Sequence, residues 1–394
     1  MCGIAGWVDF KGRVSNEKDI IVKMTDTLKL RGPDAHGYYI GEHALLGHRR
    51  LVVVDPQGGA QPMTRSKEGN HYTIVYNGEL YNTEELRRTL KDRGYDFESY
   101  SDTEVLLNSY IEFGEGCLKL LNGIYAFGIY DEKNEKLFLA RDPLGVKPLF
   151  YAFDGSSIIF GSEIKTILAH PNIRAVVGEE GLAGIFGLGP ARALGSGIFK
   201  GINEIPPANC LTFTREGFKL KEYWELKYEE HKETLEETTY HVRELFLDTV
   251  KRQLVADVPV CTFLSGGLDS SAISSVAMDQ FSKEKRGNLS TFSIDYTDNE
   301  LYFKANEFQP NSDAPWVKKM VDYLHCDHNY ILLEQEKLAL SLADAVRAND
   351  LPGMADIDSS LYLFCKEVRK KSTVALSGEC VVEVKLFIFK CGKL

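Results

Sequence analysis

Up to Trp224 the chain alternates short apolar runs with turn residues. GIAGWVDF, YTIVYN, GIYAFGIYD, KLFLARD, LFYAF and SIIFGS are rich in β-branched and aromatic residues and bounded by Gly, Asn or Asp, so they read as strands. Helical spacing of apolar positions appears at 16–30, 83–93, 102–113 and 163–169. LTFTREGFKLKEYW reads as a hairpin turning at Glu216-Gly217. The mixture predicts an α+β domain of layered antiparallel sheets over 2–225. The charged stretch YEEHKETLEET marks a linker, placed at 226–238. An amphipathic helix follows over 234–256, with Val242, Leu245, Phe246, Thr249, Val250 and Leu254 on one face. From there strand and helix alternate: VPVCTFL, SSAISSVAMDQF, LSTFSI, APWVKKMVDYL, HNYILL, EKLALSLADAVRA, DSSLYLFCKEVRKK and STVALS. That alternation predicts a second domain, 239–394, with a doubly wound parallel sheet and ligands at the strand C-termini.

The length of 394 residues suits two or three domains. With 44% hydrophobic and 26% charged residues, the chain is neither collagenous nor disordered. A net charge of −11 opposes general binding to nucleic acid or anionic membrane. No apolar run approaches the ~18–20 residues of a membrane span, and MCGIAGWVDF lacks the features of a signal peptide. The eight cysteines form no CxxC pair and read as reduced thiols, in a cytoplasmic protein. His325-Cys326-Asp327-His328 has no further spaced ligands and reads as a helix-to-strand turn rather than a zinc site.

Cys2 stands apart by position. If Met1 is removed, Cys2 carries a free α-amine, whose pKa of about 7.7–8.0 leaves enough neutral base at pH 7 to take the thiol proton. Around it come RGPDAHG (31–37), HRRLVVVD (48–55), with two arginines leading into a strand, and YNGELYN (76–82), with Asn and Gly in a turn. YSDTE (100–104) puts Asp102 at a helix start, where an acid also serves as a cap. The set suits an α-amino acid with a carboxamide side chain. Arginine holds the α-carboxylate, a carboxylate holds the α-ammonium, and Asn77 with the Gly78 N–H forms an oxyanion hole.

Cys2-Gly3-Ile4-Ala5-Gly6, Arg31-Gly32-Pro33-Asp34, the 50–54 strand, Asn77-Gly78-Glu79 and Ser101-Asp102 together resemble a glutamine amidotransferase domain of the N-terminal nucleophile class. The resemblance covers roughly residues 2–210 and implies layered αββα sheets. It implies that Cys2 attacks the glutamine carboxamide, with Asn77 and Gly78 at the oxyanion. It further implies that Arg50 and Asp102 grip the α-groups, helped by Glu79 and the Val53 carbonyl. ARDPLGVKPLFY (140–151) and SEIKTIL (162–168) share the resemblance and read as folding and domain-contact segments.

In the second half, VPVCTFL runs into Ser265-Gly266-Gly267-Leu268-Asp269-Ser270-Ser271 and a helix. Glycines admit backbone N–H groups to a phosphate, and the hydroxyls and the helix N-terminus add to them. No Walker-type lysine is present, and Asp269 makes best sense with Mg²⁺ between it and phosphate. SGGLDSS in this setting resembles the pyrophosphate loop of ATP pyrophosphatases. That resemblance implies nucleotide contacts at Leu264, Ile294, Ser377 and Gly378, and an acidic role for Glu379 near the reacting groups. The two halves in this order resemble glutamine-hydrolysing asparagine synthetases. They imply the substrates glutamine, aspartate and ATP, an internal ammonia passage and a homodimer. DLPGMADIDSSLYLFCKE (350–367) shares the resemblance, with the substrate ligand among Asp350, Asp356, Asp358 and Ser359 left open.

After Cys380 the family pattern breaks: Val382 stands where the family has Asp, and LFIF between lysines is β-prone. The ending reads as a frame change or truncated gene, lacking on the order of a further domain of ~150–200 residues. Two alternatives therefore stand beside asparagine synthesis: amidation of another carboxylate, and a chain keeping only glutaminase activity.

Overall fold

The structure is a computed structural model that describes residues 1–189, 191–305, 307, 311–378 and, as backbone, 388–390. Its strands are β1 (Gly3–Asp9), β2 (Ala35–Ile40), β3 (Ala44–Arg50), β4 (Met63–Lys67), β5 (Asn70–Leu80), β6 (Gly123–Asp131), β7 (Lys136–Arg141), β8 (Phe150–Phe153), β9 (Ser157–Gly161), β10 (Ile202–Glu204), β11 (Asn209–Thr214), β12 (Gly217–Glu222), β13 (Val260–Phe263), β14 (Ser290–Tyr296), β15 (Asp327–Leu333), β16 (Val374–Leu376) and β17 (Ile388–Lys390). The chain divides into two compact units. One holds Met1–Leu226 with Asn349–Met354, and the other holds Lys227–Ala348 and the described residues from Ala355 onward.

The first unit is a four-layer αββα stack. One antiparallel sheet runs β10-β8-β9-β1-β3-β2, the other β12-β11-β7-β6-β5-β4. Residues of period two sort to opposite faces. Ile4 and Val8 of β1 meet Val75 of β5, Ala126 of β6 and Leu139 of β7 between the sheets. Ala5 of β1 and Leu45 of β3 turn outward onto Ile21 and Met24 of the helix Lys18–Asp26. Ile74 of β5 and Phe127 of β6 turn the other way, onto Leu90 and Tyr110 of the helices Thr83–Lys91 and Asp102–Phe113. Burial on both faces explains why β3 and β6 carry nearly unbroken buried runs. The sandwich is tight at Gly6, where an added Cβ would lie 2.1 Å from the Phe160 ring.

Two local readings change. Asn77-Gly78 is not a turn but lies inside β5, paired with Ala126 and Tyr125 of β6. Gly78 is required by close approach, since a Cβ there would sit 2.5 Å from the Ile124 carbonyl oxygen. Arg49 and Arg50 end β3 rather than lead into a strand, and 51–59 is irregular.

The second unit holds a sheet ordered β15-β14-β13-β16-β17. Its first four strands are parallel, and β17 pairs antiparallel with β16 at the edge. Because β13 has β14 on one side and β16 on the other, the strand order reverses there. The loop after β13 opens at that switch point, where such sheets bind ligands. The long helix runs Leu235–Gln253, started by a capping box between Thr234 and Glu237. Only the C-terminal half of its predicted apolar face is buried, at Val250 and Leu254, while Val242 and Leu245 stay 60% and 68% exposed. The helix packs against Leu268–Lys283, and its buried side chains lie in its last turns.

Candidate functional site

Cys2 sits where β1 begins, and Gly3 pairs with Arg49 of β3. Its sulfur lies 3.4 Å from Leu51 N, which donates to it, and 3.6 Å from Leu51 O. Arg31 fixes the Cys2 carbonyl, with Nε donating at 2.9 Å, while its Nη1 pairs with Glu163 at 2.9 Å. Gly32 lets this segment lie against β3, since a Cβ there would be 2.3 Å from the Arg49 carbonyl carbon. Asp34 Oδ2 accepts from Val52 N at 2.8 Å and so pins the following loop.

That loop is wrapped around Arg50. The guanidinium donates to the carbonyls of Pro56 at 2.9 Å, Val54 at 3.2 Å and Asp55 at 2.5 Å. Asp55, at φ 49°, accepts from Gly58 N at 2.7 Å and Tyr100 N at 3.0 Å. Gly59 permits the wrap, for a Cβ there would meet Arg50 Nη2 at 2.3 Å. Val53 sits in the loop with its side chain buried. Arg50 itself is buried and makes no ion pair among the described residues.

Asp102 faces the same region from the helix Asp102–Phe113. The cap of that helix is Ser101, whose hydroxyl accepts from Thr103 N at 3.0 Å. Asp102 is thereby freed from capping: its Oδ2 accepts from Tyr76 OH at 3.0 Å and Leu80 N at 3.2 Å. Burial raises its carboxyl pKa, against the lowering effect of those hydrogen bonds. Burial, Asp102 and Cys2 push the Tyr76 hydroxyl well above its ordinary value. Asp102 likewise has no ion pair among the described residues. Asn77 is buried on β5, and its Nδ2 has no hydrogen-bond partner. Glu79 follows it, also buried. His48 Nε2, 3.0 Å from Tyr76 O, ties β3 of one sheet to β5 of the other at this point.

Sequence reasoning missed Leu51, Tyr76 and Gln61. Gln61 Oε1 accepts from Tyr76 N at 2.6 Å and its Nε2 donates to Thr103 Oγ1 at 3.2 Å. Tyr76 was visible as the first residue of YNGELYN, whereas nothing in the sequence pattern points to Gln61.

In the second unit a cavity of about 470 Å³ opens at the end of β13. It is lined by Leu264, Ser265, Gly267, Asp269, Ser270, Ile294, Ser377 and Gly378, which the sequence placed together. Gly266 and Ser271 are not in the lining. Gly266 turns the loop at φ 79°, and a Cβ there would lie 2.6 Å from Trp316 Cβ. Ser271 N closes the first helical turn onto Gly267 O at 3.0 Å. Gly378 touches the same loop, where a Cβ would meet Ser270 N at 2.9 Å. The lining adds Asp295, Tyr296, Asn299, Asp313 and Ser360, which motif reading did not find. Tyr296 OH donates to Ser360 Oγ at 3.0 Å, and Asn299 Nδ2 to Asp295 Oδ1 at 2.7 Å. Glu379 and Val382 lie outside the described residues.

His328 is engaged by hydroxyls on both ring nitrogens, Thr291 Oγ1 at 2.7 Å and Ser293 Oγ at 2.9 Å. No group of three or more His, Cys, Asp or Glu is placed to hold a metal ion among the described residues. No described helix is long and apolar enough to cross a membrane.

The αββα stack with cysteine at the start of β1, and the parallel sheet with a Ser-Gly loop at its switch point, define the class. It is an N-terminal-nucleophile amidotransferase fold joined to a synthetase domain of ATP-pyrophosphatase type. Residues 1–224 match the glutamine amidotransferase domain family, and 241–384 match the asparagine synthase family. The chain is 56% identical to asparagine synthetase [glutamine-hydrolyzing] 3 of Bacillus subtilis over 98% of its own length and 62% of that protein's. It is 33% identical to asparagine synthetase [glutamine-hydrolyzing] 1 of the same organism, over 96% of the chain and 57% of the relative. It is also 33% identical to putative asparagine synthetase [glutamine-hydrolyzing] 2 of Methanocaldococcus jannaschii, over 96% and 74%. The chain belongs to the family of glutamine-hydrolysing asparagine synthetases. It spans less than two thirds of the length of the two Bacillus relatives.

Proposed function

We propose that the chain releases ammonia from glutamine at Cys2 and uses ATP to adenylate aspartate, on which ammonia forms asparagine with AMP and pyrophosphate. The observation that carries this reading is the pair Arg50 and Asp102, opposite charges without ion-pair partners among the described residues, set near Cys2. A desolvated charge left alone is costly, so a site keeping one of each sign suits a zwitterion. Arg50 then takes the glutamine α-carboxylate and Asp102 the α-ammonium, with Glu79 and the Val53 carbonyl assisting. The unpartnered Asn77 Nδ2 and the Gly78 N–H receive the carboxamide oxygen as it gains charge.

With Met1 removed, the Cys2 amine accepts the thiol proton, and the sulfur attacks the carboxamide carbon. The proton passes to the departing nitrogen, ammonia leaves, and water hydrolyses the thioester to glutamate. Leu51 N–H, 3.4 Å from the sulfur, favours the thiolate.

In the second unit the 265–271 loop offers hydroxyls and the start of the helix Leu268–Lys283 to the ATP phosphates. Leu264, Ile294, Ser377 and Gly378 complete the nucleotide wall. Mg²⁺ is bound in proteins through one or two carboxylates plus substrate phosphates, and Asp269, with Asp295 and Asp313 in the same cavity, fits that requirement. Bound there, Mg²⁺ would neutralise phosphate charge. Glu379 is assigned the acidic role near the reacting groups. The protein is proposed to act in the cytoplasm as a homodimer.

The test supplies glutamine, Mg-ATP and aspartate and follows glutamate and pyrophosphate together. Pyrophosphate that depends on aspartate supports the full reading. Glutamate without pyrophosphate restricts the chain to glutaminase activity. AMP released only with another acid reassigns the acceptor.

A further inference from the structure

Lys147 is a buried charge that the reaction above leaves unused. It sits in the turn after β7, framed by Asp142, whose carboxylate accepts from Val146 N and Lys147 N at 2.9 Å each. Arg141 fixes the other side, donating to Lys147 O at 2.7 Å and Gly145 O at 2.8 Å. From this rigid turn the lysine side chain enters the interior, where it is 0% exposed. Its ammonium meets Met1 Sδ at 3.3 Å, and Arg31 Nη2 meets the same sulfur at 3.8 Å. A thioether is a weak acceptor and a poor match for a buried ammonium. Arg31 also holds the Cys2 carbonyl, so two cations converge on residue 1 and on the peptide unit of the nucleophile.

We propose that Lys147 is a positioning residue for Cys2: once Met1 is removed, its ammonium fronts the new α-amine, keeps that amine neutral and favours the thiolate. This rests on the reading of Cys2 as nucleophile. The charges around the group are Arg31, paired with Glu163, and Asp142 beneath Lys147. From the β5 side come the Tyr76 hydroxyl and Asp102, which are bonded to each other. Glu163 is shared with Lys165 at 2.6 Å, and Asp142 with Arg141, itself paired with Glu204, so none of these anions is left over and an α-ammonium would enter as a further cation in a desolvated place. Lys147 itself feels this environment, for burial and Arg31 bring its pKa down to about 8. The proton balance is internal. The amine takes the thiol proton, and Lys147 keeps its own.

Mass spectrometry of the purified chain first establishes that Met1 is absent; a chain retaining it overturns the proposal. The rate of Cys2 alkylation by iodoacetamide is then measured against pH in the parent, Lys147→Met and Lys147→Arg. Lys147→Met is expected to move the acid limb up by about one pH unit, which is about tenfold slower reaction at neutral pH. Lys147→Arg, which keeps the charge, is expected to stay near the parent. A Lys147→Met limb that does not move, or a Lys147→Arg limb displaced as far, overturns it. Should Lys147→Met fail to fold, competitive acetylation of the parent decides. The amine is expected to titrate below about 7.7–8.0, and titration within or above that range is the contrary result. Iodoacetamide needs no glutamine site, so a chain that shows the shift but releases no glutamate separates this proposal from the proposed activity.

Discussion

Arg50 is gripped by three carbonyls of its own loop, whereas Ser265 is held by another hydroxyl, Ser270 Oγ, at 3.0 Å. The contrast runs through both sites. Around Cys2, charges are fixed in advance by backbone groups and by side chains tying one sheet to the other. At the end of β13 the loop offers small hydroxyls and a glycine, Ser265, Ser270 and Gly267, to a cavity walled mainly by apolar and aromatic side chains, next to a Leu268 that is 90% exposed. Under the proposed reading the difference follows from the ligands. A small zwitterion brings only one charge of each sign, so the protein must hold the complementary pair unsolvated and ready. A triphosphate brings its own charge and asks for donors and close approach, which a loop with Gly266 at φ 79° can supply.

The sharpest break between the two sites is expected from Cys2→Ala. Glutamate release should fall on the order of 10⁴-fold or more, while ammonia-dependent pyrophosphate release is unchanged. Parallel loss of both activities in a folded protein would show that the sites do not divide the reaction as described. Asp102→Asn comes next. Truncating one partner of a buried charged contact costs about 2–5 kcal/mol, so glutamine KM should rise on the order of 10²-fold. Burial raises the Asp102 pKa, so the folded chain holds that proton more tightly than the unfolded one. Stability therefore declines as pH rises through that window, and the ionised carboxylate burdens the fold at neutral pH. Asp102→Asn should accordingly unfold at or above the parent's midpoint while losing glutamine. A clear drop in midpoint would mean that Asp102 is structural.

Gly266→Ala tests the other side of the contrast. A side chain at φ 79° is strained, and its Cβ would lie 2.8 Å from Val317 N, a backbone atom that cannot swing away. The two effects together should cost about 2–3 kcal/mol and abolish nucleotide binding. Hydrogen exchange should quicken in β13 and β14 and stay unchanged in β1 and β3. Uniform quickening across both units would erase the distinction between them.

Much of this was legible in the sequence because the two halves carry different periodicities. The strand runs and the helix over 102–113 appear where the apolar spacing put them. So do the hairpin of β11 and β12 and the parallel order around β13. Asn77-Gly78 read as a turn because Asn and Gly are turn formers. Its place inside β5 is set by β6 approaching too closely for a side chain at Gly78, which no local preference reveals. Asp102 carried two readings, a cap and a ligand for the glutamine α-group; Ser101 takes the cap, and the Asp102 carboxylate accepts from Tyr76. Lys147 looked like part of a folding segment, since only the tertiary structure carries it back to residue 1. In the second unit, Asp295 reaches the cavity from β14, next to Ile294, and Asp313 from the start of the helix Ala314–Leu324.

The smallest expected effect concerns one histidine in each unit. Burial holds His170 and His328 down at about 4 from an ordinary 6.5. A histidine with a lowered pKa binds fewer protons folded than unfolded, so each contribution is complete above pH 6.5 and is lost as pH falls toward 4. With solvent screening each is worth up to about 2 kcal/mol. The environments differ. His170 lies edge-on to Trp7 at 4.5 Å with Nε2 unpartnered, whereas both nitrogens of His328 are bonded. His170→Gln should therefore cost little at pH 7 and flatten the acid slope of the first unit. His328→Gln should flatten the slope of the second unit but also cost about 1–3 kcal/mol at pH 7, by leaving Thr291 and Ser293 without a partner. Urea unfolding at pH 7 and pH 5, followed in each unit by hydrogen exchange, reads both. Equal losses at pH 7 for the two variants would show that hydrogen bonding, rather than burial alone, does not distinguish these histidines.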